Sequence, residues 1–325
     1  MLRAARLDDC SALAWDLRQR SCQHSLCCRT AAGRFRPHRA RGSGDDPLLR
    51  PRRTGMAARC PHHRSPRMSL IPTAVLLDWA GTTVDHGSCG PAEVFRSIFA
   101  ARGVEITADE ARGPMGMAKR DHIATIASGP RVAAAWRELH GSDCSDAEID
   151  AMYADFLPLQ KQVLSRSSDM IPGVAAAVVE LRQLGAAIGS STGYTRELMD
   201  VVEPIAANQG YAPDCTCTAD EVTAGRPEPL LNQLAASKLG VELGPQVVVV
   251  DDTLVGIEAG LRSGCTTIGV SRTGNLLGLS LTETEALSEE ELQARLARIT
   301  ATLLEAGAHH VIESVADLPE LLRQL

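Results

Sequence analysis

Three features are absent or scarce in this sequence, and each absence narrows the class of protein. The five cysteines after residue 67 show no CxxC spacing and no paired histidine, which argues against a zinc site or a disulfide framework and fits a reducing cytosol. No apolar run reaches the roughly 18 residues of a membrane-spanning helix. Lysine occurs only at positions 119, 161 and 238. We therefore expect a soluble, cytoplasmic globular protein with no membrane partner.

The charge is divided unevenly along the chain. Residues 1–67 contain 15 arginines, no lysine and 5 acidic residues, which gives a net charge of +10. Residues 68–325 contain 15 arginines, 3 lysines and 35 acidic residues, which gives a net charge of −17. The acidic second part argues against nucleic acid as a partner.

The first 67 residues show Arg, Pro, Gly and His clusters but no apolar periodicity. Such a segment cannot bury enough apolar surface to offset its ordering entropy. A basic nucleic-acid-binding tail is one interpretation, but lysines and interleaved aromatics are missing. An Arg-rich transit peptide is another, but five aspartates weigh against it. We interpret residues 1–67 as a disordered or artefactual extension and expect the functional chain to start near Met68.

Four short apolar runs predict buried parallel strands, because they are rich in β-branched residues. They read TAVLLDWA, AAIGSST, QVVVVDDT and TTIGVS, with a further short strand predicted at His310–Ile312. Helical patterns lie between them, which is typical of right-handed βαβ crossovers. The predicted fold class is therefore α/β, with a doubly wound, Rossmann-like parallel sheet whose functional site lies at the carboxyl ends of the strands.

The segment 87–170 interrupts this alternation. It has no convincing strand pattern, and Thr107 and Ser145 each start a capping box with a glutamate three residues later. We interpret 87–170 as an all-helical cap domain inserted after the first strand, above the active edge of the sheet. Residues 68–86 and 171–325 form the predicted core.

Acidic residues end two of the predicted strands. Asp78 follows the first strand, and Asp251 and Asp252 end the strand QVVVVDDT. Asp78 alone could be an ordinary loop residue, but carboxylates from two strands at one sheet edge suit Mg²⁺, which takes carboxylate and phosphate oxygens. The metal would screen the two anions and allow Asp78 to attack phosphorus.

Two further polar positions suit a phosphate group. Ser191 and Thr192 end another strand, and Gly193 permits a close approach of the backbone; the same Ser-Thr-Gly pattern is also an ordinary helix cap. Arg226 lies between Gly225 and a proline in a loop before a helix, where a guanidinium suits phosphate oxygens. A lone loop arginine can equally be a solvated surface residue.

Lys119 lies in the Gly- and Met-rich stretch GPMGMAKRDH of the cap. The chain uses arginine for nearly all its other cationic positions, so a retained lysine indicates a task that arginine cannot perform. That task is to lose its proton and attack a carbonyl group. A chance surface lysine is the alternative, and it is our interpretation of Lys161 and Lys238.

Four stretches together resemble one known family. DWAGTTVD, PMGMAKRDH, GSSTGYTRELMD and AGRPEP, in this order and spacing, are similar to the phosphonoacetaldehyde hydrolases (phosphonatases) of the haloacid dehalogenase (HAD) superfamily. The resemblance covers residue 72 to the C-terminus and excludes the Arg-rich extension. The Asp-x-x-Gly-Thr element marks only the superfamily, whereas Ala80 together with Lys119 is specific to this branch.

The resemblance implies hydrolysis of the P–C bond of phosphonoacetaldehyde to acetaldehyde and phosphate, with Mg²⁺, in a homodimer joined through the cap. It implies that Asp78 is the nucleophile and a metal ligand, and that Lys119 forms a Schiff base. The Ala80 carbonyl and Asp252 would be the other metal ligands. The remaining implied roles are phosphate binding by Thr192, Gly193 and Arg226, and lining of the aldehyde pocket or proton transfer by Met115, His122 and Tyr194.

Two departures from the family pattern affect this interpretation. The last motif of the family generally reads Gly-Asp-Thr-x-x-Asp, whereas here Asp251 replaces the glycine and Gly256 replaces the second aspartate. Asp251 could compensate, although side chains of adjacent strand residues point to opposite faces. Near the cap hinge, Ser88 stands where the family has a cysteine, with Cys89 next to it.

Two alternatives to a phosphonatase remain open. A HAD-type phosphatase or phosphomutase acting on a P–O bond would be expected to carry an acid at position 80 and would not need Lys119. A catalytically weakened, substrate-binding or regulatory relative is the other alternative, and Gly256 is the reason to consider it.

Overall fold

The computed structural model describes residues 71–325 of the 325-residue chain. The predicted extension 1–67 and the predicted start near Met68 lie outside the described residues. Among residues 71–325, none of the helices combines the length and the apolar character needed to cross a bilayer.

Six parallel strands form one sheet, in the order β3-β2-β1-β4-β5-β6. In register, Leu77 of β1 pairs with Ser190 of β2 and with Val250 of β4, so these three strands end side by side. The predicted α/β class with a doubly wound parallel sheet is confirmed. The strands are β1 Ala74–Leu77, β2 Ala187–Ser191, β3 Cys215–Cys217, β4 Val247–Asp251, β5 Thr266–Val270 and β6 His310–Ile312.

The central strands are buried on both faces, as expected for a sheet that is covered by helices on either side. Every residue of β1 and β4 is buried, which explains why both read as continuous apolar runs. Our sequence reading missed β3, an edge strand of three residues, because CTC is too short to show a period. The strand predicted at His310–Ile312 is confirmed residue for residue.

The helices after residue 173 cover the two faces of the sheet. Gly240 ends α8 in the left-handed conformation, with φ of 68°, as its place after the helical pattern indicates. These helices are α6 Val174–Gln183, α7 Arg196–Asn208, α8 Leu230–Leu239, α9 Leu254–Arg262, α10 Leu281–Glu285, α11 Glu289–Glu305 and α12 Leu318–Gln324.

Between β1 and α6 the chain forms five α-helices and no strand. Both predicted capping boxes are present, Thr107 with Glu110 and Ser145 with Glu148. The helices are α1 Cys89–Ala100, α2 Ala108–Arg112, α3 Lys119–Ser128, α4 Pro130–His140 and α5 Asp146–Ser167. We refer to this helical segment as the cap; the domain boundaries at 86/87 and 170/171 stay a prediction.

Arg112 of the cap is held by oxygen atoms of Gly87, at the start of the cap, and of Gly278 and Asn275, in the loop after β5. Its guanidinium donates to the carbonyl oxygens of Gly87 at 2.7 Å and Gly278 at 2.9 Å, and to Asn275 Oδ1 at 3.2 Å. Asn275 in turn donates its side-chain N–H to the Arg112 carbonyl oxygen at 3.1 Å. This reciprocal set of bonds fastens the cap to the loop after β5.

Replacing Arg112 by alanine should therefore loosen the cap. Loss of the guanidinium leaves partly buried carbonyls without a donor, which costs about 1–3 kcal/mol each when water cannot replace the bond. We expect faster amide hydrogen exchange at Gly87, Gly116 and Met117 in the Arg112→Ala protein, with little change in the strands. Native-state hydrogen exchange measures both regions at once.

Arg131→Ala is the matched control. Among the described residues, the Arg131 side chain donates hydrogen bonds only to cap residues, namely to the Glu110 carboxylate and the Glu105 carbonyl oxygen. Equal acceleration of exchange in both variants would show that Arg112 does not fasten the cap to the core.

Candidate active site

The sheet order brings three predicted polar clusters to one edge. Asp78 follows β1, Thr192 follows β2 and Asp251 is the last residue of β4. The backbone N–H of Asp78 donates to the Val250 carbonyl oxygen at 3.0 Å, so the nucleophile candidate continues the β1–β4 register. Parallel strands with aligned carboxyl ends thus place these side chains together.

Three aspartates form a buried cluster at this edge. Asp78, Asp251 and Asp252 each offer one carboxylate oxygen, and these atoms all lie within 4.8 Å of one another. Their exposed fractions are 6%, 1% and 0%. Burial raises the pKa of Asp78 to about 7, with Arg226 opposing and Asp251 adding to the shift. Burial, together with Asp78 and Asp251, also raises the pKa of Asp252 well above its usual range.

This donor set fits a hard divalent cation. The ligand atoms are carboxylate oxygens, which Mg²⁺ and Ca²⁺ prefer, and their mutual repulsion in a buried site is what a bound cation relieves. Asp252 is held in place by the hydroxyl of Thr82 at 3.1 Å and the backbone N–H of Asn275 at 2.6 Å. We missed Asn275 in the sequence, because no motif surrounds it.

Arg226 is the cation of this cluster. Its Nη1 donates to Asp78 Oδ1 at 2.6 Å and lies 3.0 Å from Asp251 Oδ2. Its Nη2 donates to the carbonyl oxygen of Ser191 at 2.8 Å and to the Ser191 hydroxyl at 2.7 Å. With only 3% of its side chain exposed, Arg226 is not a solvated loop arginine.

Lys119 is buried, and its amine faces aromatic rings. It is the first residue of α3, with 3% exposure, and its Nζ lies 4.8 Å from the ring centroid of Tyr194 and 5.7 Å from that of Phe95. Among the described residues no carboxylate lies within ion-pair distance of it. Burial lowers the pKa of Lys119 to about 8, although Asp78 and Asp85 act in the opposite direction. A helix N-terminus also disfavours a cation.

His122 lies one turn along α3 from Lys119. Its Nε2 is 2.9 Å from the Ala111 carbonyl oxygen, so this nitrogen carries the proton and donates. Burial and the nearby Lys119 hold the pKa of His122 well below its usual range, and the ring is therefore neutral. Its Nδ1 and the Tyr194 hydroxyl have no hydrogen-bond partner among the described residues.

A small cavity of about 20 Å³ joins the core residues to the cap residues. A cavity of this size holds about one water molecule, so the cap is closed over the site and has to open to admit a substrate. The lining residues are Asp78, Ala80, Ser88, Pro91, Met115, Gly116, Lys119, Thr192, Gly193, Tyr194 and Thr253. His122, Arg226 and Asp252 are not among the lining residues.

Gly193 allows the cap loop to approach the core. A Cβ atom on Gly193 would lie 2.4 Å from the Met117 carbonyl oxygen and 2.8 Å from that of Gly116. The neighbouring Thr192 uses its backbone N–H to bond the Cys217 carbonyl oxygen at 3.0 Å. Its contribution to a bound phosphate would therefore come from the hydroxyl group.

Two residues of the cap hinge gained no role from the sequence. Asp85, the last residue of DWAGTTVD, accepts from the backbone N–H of Cys89 at 3.2 Å and of Gly90 at 3.1 Å, and so caps α1. Ser88, with φ of 49°, is fully buried, and its hydroxyl has no hydrogen-bond partner within residues 71–325. The position of Asp85 in a quoted motif was a usable signal, whereas only the structure shows that Ser88 lines the cavity.

The fold and this site are those of a class of hydrolases. The family model of haloacid dehalogenase-like hydrolases matches residues 72–264. The relatives narrow the assignment. The chain is 46% identical over 245 residues to the phosphonoacetaldehyde hydrolase of Paraburkholderia xenovorans, covering 75% of this chain and 92% of the relative. It is 43% identical over 252 residues to that of Nitratidesulfovibrio vulgaris, covering 78% and 90%.

A solved structure agrees with these relatives. The phosphonoacetaldehyde hydrolase-like protein from Oleispira antarctica matches with a TM-score of 0.76 and 39% identity, over 78% of this chain and 92% of that one. The chain belongs to the phosphonoacetaldehyde hydrolase family of the HAD-like hydrolases, and the resemblance drawn from its motifs is confirmed. The roles of the individual site residues stay predictions.

The ionisation of Lys119 can be measured directly, because the whole chain contains three lysines. In protein with isotope-labelled lysine, we expect one side-chain signal to titrate near pH 8, protonated below and neutral above, since burial disfavours the ammonium form. The signal of Lys238 should be well separated from that of Lys119. Burial lowers the pKa of Lys238, but the ion pair with Glu221 outweighs it, so that Lys238 titrates above the usual lysine value of 10.5.

The Lys119→Arg protein assigns the signal, because only the resonance titrating near pH 8 should disappear. If the resonance lost in Lys119→Arg titrated near the usual lysine value of 10.5 instead, Lys119 would not be a preorganised amine nucleophile.

Proposed function

We propose that the protein hydrolyses the P–C bond of phosphonoacetaldehyde, releasing acetaldehyde and phosphate. The observation that carries this proposal is the shared cavity of Asp78 and Lys119: a carboxylate from the core and a buried amine with a pKa of about 8 from the cap. Membership in the phosphonoacetaldehyde hydrolase family supports the same reaction.

The amine supplies what a P–C bond needs in order to break. Heterolysis of that bond would otherwise expel a carbanion, a very poor leaving group. Lys119 Nζ adds to the aldehyde carbon and water is lost, which gives an iminium ion. When phosphorus is attacked, the bonding electrons move into the iminium and form an enamine.

Asp78 is the proposed nucleophile at phosphorus. Its carboxylate oxygen bonds phosphorus while the P–C bond breaks, which leaves an aspartyl phosphate and the enamine on Lys119. Water then hydrolyses the aspartyl phosphate. The enamine takes a proton on carbon, and hydrolysis of the resulting iminium releases acetaldehyde and regenerates the amine. Arg226 and the Thr192 hydroxyl are the proposed ligands of the phosphoryl oxygens.

His122 and Tyr194 are the proposed groups for the proton steps and for lining the aldehyde pocket, together with Met115. The Nδ1 of neutral His122, which has no hydrogen-bond partner in the described part of the chain, can accept a proton. The alanine at position 80 fits the same chemistry, because an acid there would serve to protonate a leaving oxygen, and this reaction has none.

Mg²⁺ is the proposed cofactor, held by Asp78, Asp252 and the Ala80 carbonyl; when bound, it neutralises carboxylate and phosphonate charge so that an anionic nucleophile can approach phosphorus.

We also propose a cytoplasmic homodimer joined through the cap, acting on a small phosphonate and not on nucleic acid or membrane. The pathway implied by the family is 2-aminoethylphosphonate degradation, in which transamination would supply the aldehyde.

Phosphate release from phosphonoacetaldehyde, compared with release from phosphate esters such as p-nitrophenyl phosphate, tests the proposed reaction. We expect turnover of the phosphonate, and loss of at least about 10³-fold in Lys119→Arg and in Asp78→Asn, as is typical when a covalent catalyst is removed. Lys161→Arg is the matched control, because Lys161 is partly exposed and pairs with Glu197 at 2.5 Å. Preferential turnover of esters would instead indicate a HAD-type phosphatase or phosphomutase.

Borohydride reduction in the presence of phosphonoacetaldehyde tests the imine separately. We expect a reduced adduct on Lys119, located by peptide mass mapping, in the wild-type and Lys161→Arg proteins and none at that position in Lys119→Arg. The Asp78→Asn protein should still be trapped, because imine formation does not require the nucleophile. Normal turnover by Lys119→Arg would rule out the Schiff-base mechanism.

A further inference from the structure

We propose that Asp251 is a third carboxylate of the cation site, and that glycine at position 256 is the condition for its being there. The proposal rests on the cation site of the proposed function but not on the identity of the substrate. It accounts for the two substitutions in the last family motif, Asp251 and Gly256, as a single exchange of side chains between these positions.

The space beside Gly256 is filled by the Asp251 carboxylate. A Cβ atom on Gly256 would lie 2.0 Å from the Asp251 Cγ and 2.1 and 2.2 Å from its two oxygens. No side chain can begin at 256 while Asp251 holds this position. The φ of Gly256 is not in the left-handed region, so the requirement for glycine is one of space and not of backbone conformation.

Hydrogen bonds turn the Asp251 carboxylate toward the first turn of α9. Its Oδ1 accepts from the backbone N–H of Thr253 at 2.9 Å and from the Thr253 hydroxyl at 2.7 Å. That hydroxyl in turn accepts from the Gly256 N–H at 3.1 Å and caps the helix. Asp251 is therefore held from the same side on which position 256 would present its own side chain.

The second carboxylate oxygen of Asp251, Oδ2, is available to bind a cation. Oδ2 lies 3.0 Å from Arg226 Nη1 but makes no hydrogen bond of acceptable geometry among the described residues. Arg226 directs its hydrogen bonds to Asp78 and Ser191 instead. Oδ2 is thus a buried carboxylate oxygen that no donor of residues 71–325 satisfies, and Asp251 belongs to a cluster in which one carboxylate oxygen of each aspartate lies within 4.8 Å of the others. Such an oxygen is a suitable ligand for a hard cation.

Cation binding to the purified full-length protein, without substrate, tests the assignment. Mn²⁺ binding is followed by the electron paramagnetic resonance signal of the free ion, and Mg²⁺ binding by calorimetry. We expect about 10–100-fold weaker binding in Asp251→Asn, which keeps the shape and removes the charge, a loss typical for groups that support a metal site. Asp214→Asn is the matched control, since Asp214 also pairs with an arginine, Arg182, away from the site.

The exchange of positions gives a second, independent test. Gly256→Asp alone should be destabilised, because the new side chain overlaps the Asp251 carboxylate. The double variant Asp251→Gly/Gly256→Asp should recover both stability and Mn²⁺ affinity to within several-fold of the wild type, so that the two substitutions are strongly non-additive. Additive losses in this double-mutant cycle would overturn the proposed exchange.

An unchanged cation affinity in Asp251→Asn would overturn the proposal. In that case the role of Asp251 would be confined to its ion pair with Arg226. The Asp251→Asn protein would then bind inorganic phosphate more weakly than the wild type. If cation affinity depends on Asp251 but phosphonoacetaldehyde is not hydrolysed, the proposed function fails while the assignment of Asp251 stands.

Discussion

Mutual repulsion among three buried carboxylates is the constraint on which this structure depends. Asp78, Asp251 and Asp252 meet because β1 and β4 are neighbours that end at the same edge of the sheet. Water cannot solvate them there, and within residues 71–325 Arg226 is the one cation at ion-pair distance from any of the three acids. The surroundings make room for the carboxylates: a Cβ on Gly81 would lie 2.2 Å from Asp252 Oδ2. Such an arrangement costs free energy without a cation, which makes metal binding part of the stability of the site.

The cap adds the opposite chemical group to this acidic edge. Lys119 needs a dry environment to lose its proton near neutral pH, and neither a surface helix nor the acidic edge alone supplies one. Closure of the cap provides it, because the loop carrying Met117 packs on Gly193 and places the amine against the Tyr194 ring. With the cap closed, the cavity shared by Asp78 and Lys119 measures only about 20 Å³. Entry of a substrate and catalysis therefore require different arrangements of the cap and the core.

Local patterns were sufficient for most of the fold. Apolar runs predicted five of the six strands, and capping boxes indicated the inserted helices. Both kinds of feature depend on neighbours a few residues away. Edge strand β3 was missed because three residues carry no period. Strand alternation also predicted opposite faces for Asp251 and Asp252. That inference was wrong for their carboxylates: β4 ends at Asp251, and Thr253 holds the Asp251 side chain while Thr82 and Asn275 hold Asp252.

By itself, the sequence determined the fold class, the order of the motifs and which residue types were available for chemistry, including the choice of alanine at position 80 and lysine at position 119. Only the tertiary structure decided that the Asp251 carboxylate occupies the space beside Gly256, that Arg226 bridges two acids and that Lys119 is buried. The physical reason is that a pKa, an ion pair and a steric overlap depend on distances through space and on exclusion of water. Residues 78, 119, 226 and 251 are far apart in the chain, and no local pattern records their separation in the folded protein.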